Sequence, residues 1–313
     1  MEHQFLKSAL GEPETVWDGS ALGFLSSLFV PDSILGRKKA LLRADVNEQW
    51  AKWFVEGISD PRRYAEQQTS YPFVFKDVYS VIDDRFTDLT KSEKQEIASI
   101  ASRTIYNLVD TYRLDRKRKS IPRSERTLLV EISGGKPRCW ICGAKFSQDS
   151  IDNFILGETR SIPLPRFVDI LKPRGLNQRD MAIEVDHVVP HAHGGGNENN
   201  LRLSCGWCNM NKSAFISIYD IEGMPKRSGS NDLGIHSLPR PFWAVRLLAT
   251  GKNCEYKDGC QKTSLTSELT IAPISANGAM NPSNLKITCY DHDSFNVKRF
   301  QPPQKVKAIW RFK

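Results

Sequence analysis

The chain has 313 residues, of which 40% are hydrophobic and 26% are charged, and its formal net charge at pH 7 is +8. This length allows two or three domains with separate cores, and the composition is ordinary for a soluble globular protein. A run of about 18 apolar residues and a basic start followed by an apolar core are both absent, which argues against a membrane span and a secretory signal. Seven cysteines in metal-ligand spacings favour a reducing compartment, which we take to be the cytoplasm.

Charge divides the chain into an acidic part and a basic part. Residues 1–110 contain 13 Lys or Arg and 17 Asp or Glu, a net charge of −4, which leaves +12 to the remaining residues. Basic side chains bind nucleic acid by releasing counterions from its phosphates. We therefore expect phosphate contacts from residues 111–313 and none from the acidic part.

Residues 1–112 are predicted to form an acidic helical domain. A stripe of apolar side chains at helical spacing predicts one helix and is interpreted as core: Val46, Trp50, Trp53, Phe54 and Ile58. Thr90 and Glu93 have the spacing of a capping box and predict the start of another helix. Pro72 disfavours a helical conformation at Tyr71, so a break between the two helical stretches is expected over residues 71–75. Since the region offers no catalytic constellation, we expect it to dock a regulatory protein partner or to cover the rest of the chain.

A basic linker is predicted over residues 113–137. Its first part, residues 113–126, contains seven basic and two acidic side chains together with Pro122. Lys117 and Arg118 lie in this part and are candidate nucleic-acid contacts. Two interpretations stay open, a clamp on the nucleic-acid backbone and a solvated tether.

Four cysteines form two CxxC pairs, the first at Cys139 and Cys142 and the second at Cys205 and Cys208. Two such pairs supply the four thiolates that a tetrahedral structural zinc ion needs. A site closed by four thiolates leaves no position for water or substrate. We therefore predict a zinc ion that stabilises the fold of residues 138–230 without taking part in chemistry.

Another set of polar residues lies around the second CxxC pair. Asp186 and His187 end a short strand, a Gly-Gly-Gly loop leads to a second strand that contains Asn200, and Asn209 follows Cys208 directly. Carboxylate and amide oxygens suit a hard divalent cation, and a neutral imidazole can deprotonate water near neutral pH. This combination is typical of phosphodiester hydrolysis.

Together these motifs resemble the HNH endonucleases, also called His-Me finger or ββα-metal nucleases, and within them the zinc-knuckle subclass. The resemblance covers residues 138 to about 215, a quarter of the chain. It implies that His187 is the general base and that Asp186 and Asn209 bind a catalytic Mg²⁺ or Mn²⁺ ion. It also implies that Asn200 belongs to the catalytic set and orients His187 and its loop.

The segment between Cys142 and Asp186 is longer than in compact HNH proteins, and the role of the inserted residues 154–181 stays open. Residues 167–171 predict a short helix inside it. Basic or imidazole side chains near the predicted site are candidate contacts to substrate phosphate: Arg174, Arg179, His191 and Lys212. His193 is weighed beside His191 as a contact to phosphate or metal, with plain solvation as the alternative for both.

A second, weaker copy of the motif is predicted at residues 240–313. Aligning Asn200 with Asn284 at a constant shift of 84 places Cys289 and His292 at the second CxxC pair, and Cys254 and Cys260 stand where the first pair would be. Three thiolates and one imidazole make a second zinc set. The same alignment puts Thr270 and Ile271 opposite the Asp-His pair, which predicts a module that is structural or DNA-binding and has no catalytic activity.

The predicted fold class is α+β, with a helical N-terminal domain, a ββα-metal HNH module and a degenerate zinc-knuckle module in that order. The function this predicts is a metal-dependent endonuclease that hydrolyses DNA, in a bacterial restriction or anti-phage defence system. Assembly into a homo-oligomer is left open, because one active site cuts one strand at a time. Two alternatives also stay open: a catalytically silent nucleic-acid-binding zinc module, and an effector that cleaves RNA.

Overall fold

The computed structural model describes residues 1–11, 19–65, 69–113, 121–190, 199–228, 233–256, 259–293 and 295–311. The helices within these ranges are α1 (Glu2–Leu10), α2 (Gly19–Ser27), α3 (Asp32–Leu35), α4 (Lys39–Ile58), α5 (Tyr71–Arg85), α6 (Lys91–Tyr112), α7 (Arg123–Ile132), α8 (Gln148–Leu156), α9 (Gln178–Met181), α10 (Gly206–Lys212), α11 (Pro241–Gly251), α12 (Asn296–Arg299) and α13 (Pro303–Trp310). None of them is both long and apolar enough to cross a membrane.

The strands within the described ranges form four small antiparallel sheets of two strands each. The pairs are β1 (Val168–Asp169) with β8 (Phe300–Gln301), β2 (Ile183–His187) with β3 (Leu201–Cys205), β4 (Lys226–Arg227) with β5 (Ser237–Leu238), and β6 (Leu269–Pro273) with β7 (Leu285–Cys289). Helices and small antiparallel sheets together confirm the α+β class.

The N-terminal region has a hydrophobic core of its own, formed by α4, α5 and α6. The capping box at the start of α6 is confirmed, since Thr90 N donates to Glu93 Oε2 at 2.8 Å and Glu93 N donates to Thr90 Oγ1 at 3.4 Å. The break expected over residues 71–75 was wrong, because these residues form the start of α5. Pro72 lies in the first turn of that helix, where a backbone N–H has no helical acceptor to lose.

The apolar stripe of α4 is only partly core. Phe54 and Ile58 pack into the N-terminal core, but Trp50 and Trp53 are 63% and 55% exposed and contact each other edge to face. Val46 is exposed as well. The interpretation of this stripe as core was therefore wrong for its first three residues, because another side of α4 is the one that is covered.

That other side of α4 binds the C-terminal part of the chain through charged groups. Asp45 is fully buried and accepts hydrogen bonds from the backbone N–H of Ile218 and from Arg246 Nη2, each at 2.6 Å. Lys38, just before α4, donates to both carboxylate oxygens of Glu255 at 2.6 and 2.7 Å. These ion pairs attach α4 to residues far along the chain.

One hydrophobic core joins the two predicted zinc modules. It contains the four cysteines of the first module, Cys254 and Cys289 of the second, and buried apolar side chains of α11, β6, β7 and α13. A direct backbone bond also joins the modules, from Leu269 N to Cys142 O at 2.8 Å. Residues 138–230 and 240–313 therefore pack as parts of one core.

The predicted helix over residues 167–171 was wrong, because this stretch contains β1. Asp169 in β1 accepts two hydrogen bonds from Arg299 Nη1, at 2.8 and 2.9 Å. The same guanidinium, which is completely buried, donates to Asp293 Oδ2 and to the carbonyl of Ile271, each at 2.6 Å. Part of the inserted segment thus serves to link the first module to the C-terminal region.

Candidate active site and metal centres

The candidate active site lies at one end of the β2–β3 hairpin, where α10 folds back against β2. His187 ends β2, and α10 starts directly after Cys205, the last residue of β3. Glycine is required at position 206, since a Cβ there would lie 2.0 Å from the carbonyl oxygen of Arg179. The close approach that Gly206 permits presses α10 against α9 and fixes the direction in which α10 leaves the hairpin.

Asn200 ties down the backbone that follows His187. Its Nδ2 donates to the carbonyl of Val189, and Val189 N donates to its Oδ1, both at 2.8 Å. The backbone N–H of Val188 donates to the carbonyl of Asn200, also at 2.8 Å. This places Asn200 where the predicted orienting residue belongs, with both ends of its amide used on the loop.

Asp186 is buried and both of its carboxylate oxygens are hydrogen-bonded. Oδ2 accepts from the indole Nε1 of Trp140 and Oδ1 from Lys212 Nζ, each at 2.9 Å. Lys212 Nζ also donates to the carbonyl of His187 at 2.5 Å. Burial raises the pKa of Asp186, while the charge and hydrogen bond of Lys212 oppose that shift. The indole contact from the first CxxC pair was not predicted, although a Trp inside a knuckle is a buried donor that needs an acceptor.

Asn209 faces the same strand one turn earlier in α10. Its Nδ2 donates to Glu184 Oε2 at 2.6 Å, and the other oxygen of Glu184 accepts from Arg179 Nε at 2.8 Å. Glu184 and Asp186 are two residues apart in β2 and therefore lie on one face of the strand. The α10 face that carries Asn209 and Lys212 thus meets two carboxylates, one for each polar side chain.

The first cysteine group has the geometry of a tetrahedral zinc site. The sulfurs of Cys139, Cys142, Cys205 and Cys208 are all buried and lie within 4.8 Å of one another, with Cys142 and Cys205 at 4.0 Å. Tetrahedral bonds of about 2.3 Å from zinc place sulfurs about 3.8 Å apart. The four side chains therefore fit a Zn²⁺ ion without rearrangement.

Two buried cations behind this group support its occupation by metal. Lys172 is fully buried and donates to Glu268 Oε1 at 2.7 Å, while Nε and Nη2 of the nearly buried Arg174 have no hydrogen-bond partner within the described residues. Burial alone would lower the pKa of Arg174, but negative charge on Cys205 and Cys142 raises it. Glu268 supplies one negative charge to these two cations, and four thiolates around Zn²⁺, with a net charge of −2, would supply the rest.

This position corrects one predicted phosphate contact. Arg174 has a side chain that is only 9% exposed and lies behind the cysteines, so substrate cannot reach it. Lys212 is likewise buried in its ion pair with Asp186. Arg179 is the predicted contact that the structure leaves accessible, with 63% of its side chain exposed. Lys117, Arg118, His191 and His193 lie outside the described residues.

Sequence reasoning missed Arg202. It is the cross-strand partner of Asp186 in the hairpin register, it is exposed, and its Nη1 donates to the carbonyls of Asn199 and Leu201. Directly paired residues of an antiparallel hairpin share a face, so Arg202 and Asp186 project to the same side. The signal was the alternation in Leu-Arg-Leu, which puts the arginine on the face opposite to the two leucines.

The second group, Cys254, Cys260, Cys289 and His292, also converges. Its ligand atoms lie within 4.8 Å of one another, and His292 Nδ1 is 3.7 Å from Cys254 Sγ and 3.4 Å from Cys289 Sγ. Burial would raise the pKa of Cys254, but hydrogen bonds from Cys289 N and His292 lower it to about 7. Cys260 and His292 are partly exposed, and the ring of Tyr256 stacks on His292 at 3.9 Å. Three sulfurs and one imidazole suit Zn²⁺ as well.

The β6–β7 hairpin repeats the geometry of β2–β3, with a register that corrects the ungapped alignment. Cys205 pairs with Ile183 and Cys289 with Leu269, so the first strands correspond at a shift of 86 and not 84. The residues that correspond to Asp186 and His187 are therefore Ala272 and Pro273, and not Thr270 and Ile271. Asn284 keeps the loop contacts of Asn200, since Ser275 N donates to its Oδ1 at 2.8 Å and its Nδ2 donates to Ser275 O at 3.0 Å.

An antiparallel hairpin followed at once by a helix, with a cysteine knuckle packed beside it, defines a ββα finger. The family model of HNH endonucleases matches residues 174–215, which contain this hairpin and α10. The chain therefore contains an HNH endonuclease domain, and its cysteine groups are consistent with the zinc-knuckle subclass. Comparisons of the chain with curated proteins and with solved structures found no match.

Two side chains beside the hairpin offer the oxygen ligands that a hard divalent cation prefers. Asp186 offers a carboxylate, and the amide oxygen of Asn209 is directed away from Glu184 because the amide nitrogen is directed toward it. The ammonium group of Lys212 already neutralises Asp186 in this arrangement. A divalent ion bound to Asp186 would compete with that ammonium group.

Proposed function

We propose that this chain is a metal-dependent endonuclease that hydrolyses phosphodiester bonds in DNA. The observation that carries the proposal is the way α10 packs across β2. Lys212 contacts both Asp186 and the backbone of His187, and Asn209 contacts the same strand two residues earlier. These contacts link Asp186, His187 and Asn209, the three residues with the chemistry of a nuclease site, through β2 and α10.

In the proposed reaction His187 is the general base. Its imidazole accepts a proton from the water that attacks phosphorus, while the hydrogen bonds between Asn200 and Val189 hold the adjoining backbone in place. Asp186 and Asn209 would hold a Mg²⁺ or Mn²⁺ ion, which would offset charge on the phosphate and on the leaving 3′ oxygen. The bond to the 3′ oxygen breaks, so the products carry a 5′-phosphate and a 3′-hydroxyl.

In this proposal both cysteine groups hold zinc ions that stabilise structure. The first closes the knuckle that carries Trp140 against Asp186. The second belongs to a degenerate copy of the ββα finger, in which Ala272 and Pro273 can neither bind a hard metal nor accept a proton. We assign the second copy a structural role, because its hairpin and its cluster share one core with the first.

Substrate and context are part of the same proposal. We favour Arg179 and Arg202 as the phosphate contacts, because both are exposed and Arg202 is the cross-strand partner of Asp186. This choice agrees with the positive net charge of residues 111–313. All seven cysteines are free of disulfides, which suits a reducing compartment such as the cytoplasm. A protein partner for residues 1–110, a homo-oligomer and a role in restriction or anti-phage defence stay predictions.

The test is cleavage of supercoiled plasmid in Mg²⁺ or Mn²⁺ by wild type, His187→Ala and His236→Ala. A positioned base contributes about 10²–10⁴-fold to rate, so His187→Ala is expected to lose nicking by that factor at unchanged zinc content. His236 is an exposed histidine outside the hairpin and is the matched control, expected to cut like wild type.

Each other outcome has a definite meaning. Equal cutting by His187→Ala and wild type would overturn the assignment of the base. Cutting of single-stranded RNA without cutting of DNA would establish the RNA-cleaving effector. Salt-dependent binding of both polymers without cutting would establish a silent nucleic-acid-binding module.

A further inference from the structure

Glu184 has no role in the chemistry described above, yet it has the closest contact to a proposed metal ligand. Its Oε2 lies 2.6 Å from Asn209 Nδ2, and its side chain is 22% exposed. Arg179 holds the other oxygen at 2.8 Å. The carboxylate is thus fixed between one cation and one amide.

The contact matters because an asparagine amide has two chemically different ends. The oxygen can bind a hard cation, whereas the NH₂ group is a donor and cannot. A carboxylate without a proton is purely an acceptor, so it can pair only with the NH₂ end. Beside Glu184, a rotation of the amide by 180° would place two acceptor oxygens against each other and is disfavoured.

We propose that Glu184 is a positioning residue that turns the amide oxygen of Asn209 toward the catalytic cation. Arg179 keeps Glu184 in this place, since its Nε donates at 2.8 Å to the carboxylate oxygen that Asn209 does not contact. The inference rests on the proposed function in one respect, namely that Asn209 is a ligand. It adds the reason that an amide, whose orientation is otherwise undetermined, can serve at this position.

A purely structural alternative predicts a different result. If the contact only fastened α10 to β2, any side chain that kept the hydrogen bond would serve equally well. Glu184→Gln separates the two possibilities, because glutamine has the same shape and can hydrogen-bond to the amide in both of its orientations. This variant keeps the link between helix and strand and removes the preference for one orientation.

Metal binding can be measured without cleavage. Trp140 donates to Asp186 at 2.9 Å, so its indole lies beside the proposed ion and can sensitise the luminescence of Tb³⁺, a hard cation, bound there. Zinc-loaded protein would be titrated with Tb³⁺ and then with competing Mg²⁺. Asp186→Asn supplies the background signal that does not come from this site.

The expected result is that Glu184→Gln binds Tb³⁺ and Mg²⁺ about 10- to 100-fold more weakly than wild type, with an unchanged thermal midpoint. Glu158→Gln is the matched control, because Glu158 is also a partly exposed glutamate paired with an arginine, Arg160. It should bind like wild type. Unchanged affinity in Glu184→Gln, or a loss that follows the loss of thermal stability, would overturn the proposal.

A second variant reverses the sign of the effect. In Asn209→Asp the ligand has two equivalent oxygens and needs no orienting partner, while Glu184 now repels it. Adding Glu184→Gln to Asn209→Asp should therefore leave metal affinity unchanged or increase it. A decrease of the same size as in the wild-type background would contradict the positioning role. If wild type bound Tb³⁺ here but cut no nucleic acid, the proposed function would fail while the role of Glu184 was still tested.

Discussion

At the scale of single residues, the ion pair of Lys212 with Asp186 is the contact on which the site depends. Both side chains are less than a tenth exposed. Removing one partner of a buried pair leaves an uncompensated charge and typically costs about 3–5 kcal/mol, whereas exposed pairs contribute about 0–1 kcal/mol.

We therefore expect Lys212→Met to lower the free energy of unfolding by about 3–5 kcal/mol in urea titrations with zinc present. Lys39→Met, which breaks an exposed pair with Asp32, should change it by less than about 1 kcal/mol. Adding Asp186→Asn to Lys212→Met should restore most of the loss. A similar loss of unfolding free energy in the single and double variants would show that the loss comes from packing and not from an unpaired charge.

The pKa of Asp186 gives this loss a pH dependence with a definite sign. Burial already raises the folded-state pKa above the ordinary value, and removal of Lys212 raises it further. Protonation of Asp186 then favours the folded state, and this contribution fades as pH rises through the folded-state pKa. The deficit of Lys212→Met should consequently shrink as the pH is lowered toward that pKa.

The sequence predicted contacts correctly where the spacing of residues along the chain determines that they lie together. It failed where the tertiary fold determines which residues a side chain contacts. Cys205 and Cys208 lie one helical turn apart, so the spacing of two CxxC pairs is enough to specify a cluster. Arg174 is basic and near the motif in sequence, which made it a reasonable phosphate contact. The turn after β1 instead carries it behind the cysteines, where its charge faces metal ligands.

At the scale of elements, the two hairpins differ in the length of their loops, a difference that an ungapped alignment cannot represent. The connection between β2 and β3 has 13 residues, 188–200, and that between β6 and β7 has 11, 274–284. A constant shift therefore aligned the second strands correctly and the first strands two residues out of place. Because the difference is even, it preserved which residues face the core, so hydrophobic alternation gave no warning.

The residue after the first cysteine makes different side-chain contacts in the two knuckles. In the first knuckle Trp140 reaches Asp186, and in the second Glu255 accepts from Ile287 N at 2.7 Å and from Lys38. Both residues donate their backbone N–H to the neighbouring strand, to Leu203 and Ile287 respectively, at 2.9 Å. One position of the finger thus serves the active site in one copy and the attachment of α4 in the other.

Glu255→Gln should loosen the start of α4. We expect hydrogen exchange of residues 39–46 to become about tenfold faster, roughly 1.4 kcal/mol, while residues 51–58 remain protected by the N-terminal core. Glu222→Gln, at an exposed glutamate, is the control and should leave α4 unchanged. Equal acceleration over the whole helix would mean that the N-terminal core itself depends on Glu255.

At the scale of the whole molecule, ion pairs of both polarities join the acidic part of the chain to the basic part. Acidic Asp45 binds Arg246, and Lys38 and Lys52 bind Glu255 and Asp220 of the basic part. A count of charges separated an acidic part from a basic part but could not show that ionised groups of the two parts meet across about 170 to 220 positions. Long-range pairing of this kind depends on tertiary packing and leaves no local pattern.

Zinc content tests the two-cluster arrangement of the whole chain. We expect two zinc ions per chain by atomic emission, and a release in two phases when a chelator is added. The second group should empty first, because Cys260 and His292 are partly exposed whereas the first group is fully buried. Cys260→Ser should leave one ion and the slow phase alone. One zinc ion per wild-type chain would rule out the second site.

The position of α13 in the shared core has a consequence for the order of synthesis. Val306, Ile309 and Trp310 are buried beside the elements of the nuclease domain, and Trp310 Nε1 donates to the carbonyl of Ile170 at 2.8 Å across 140 residues. The ribosome adds about 5–20 residues per second, so roughly 5–20 s separate the end of α10 from the arrival of α13. During that interval the core beneath the active site is open on one side. In a nascent chain the first cysteine group is therefore complete well before the core beneath the candidate active site is closed.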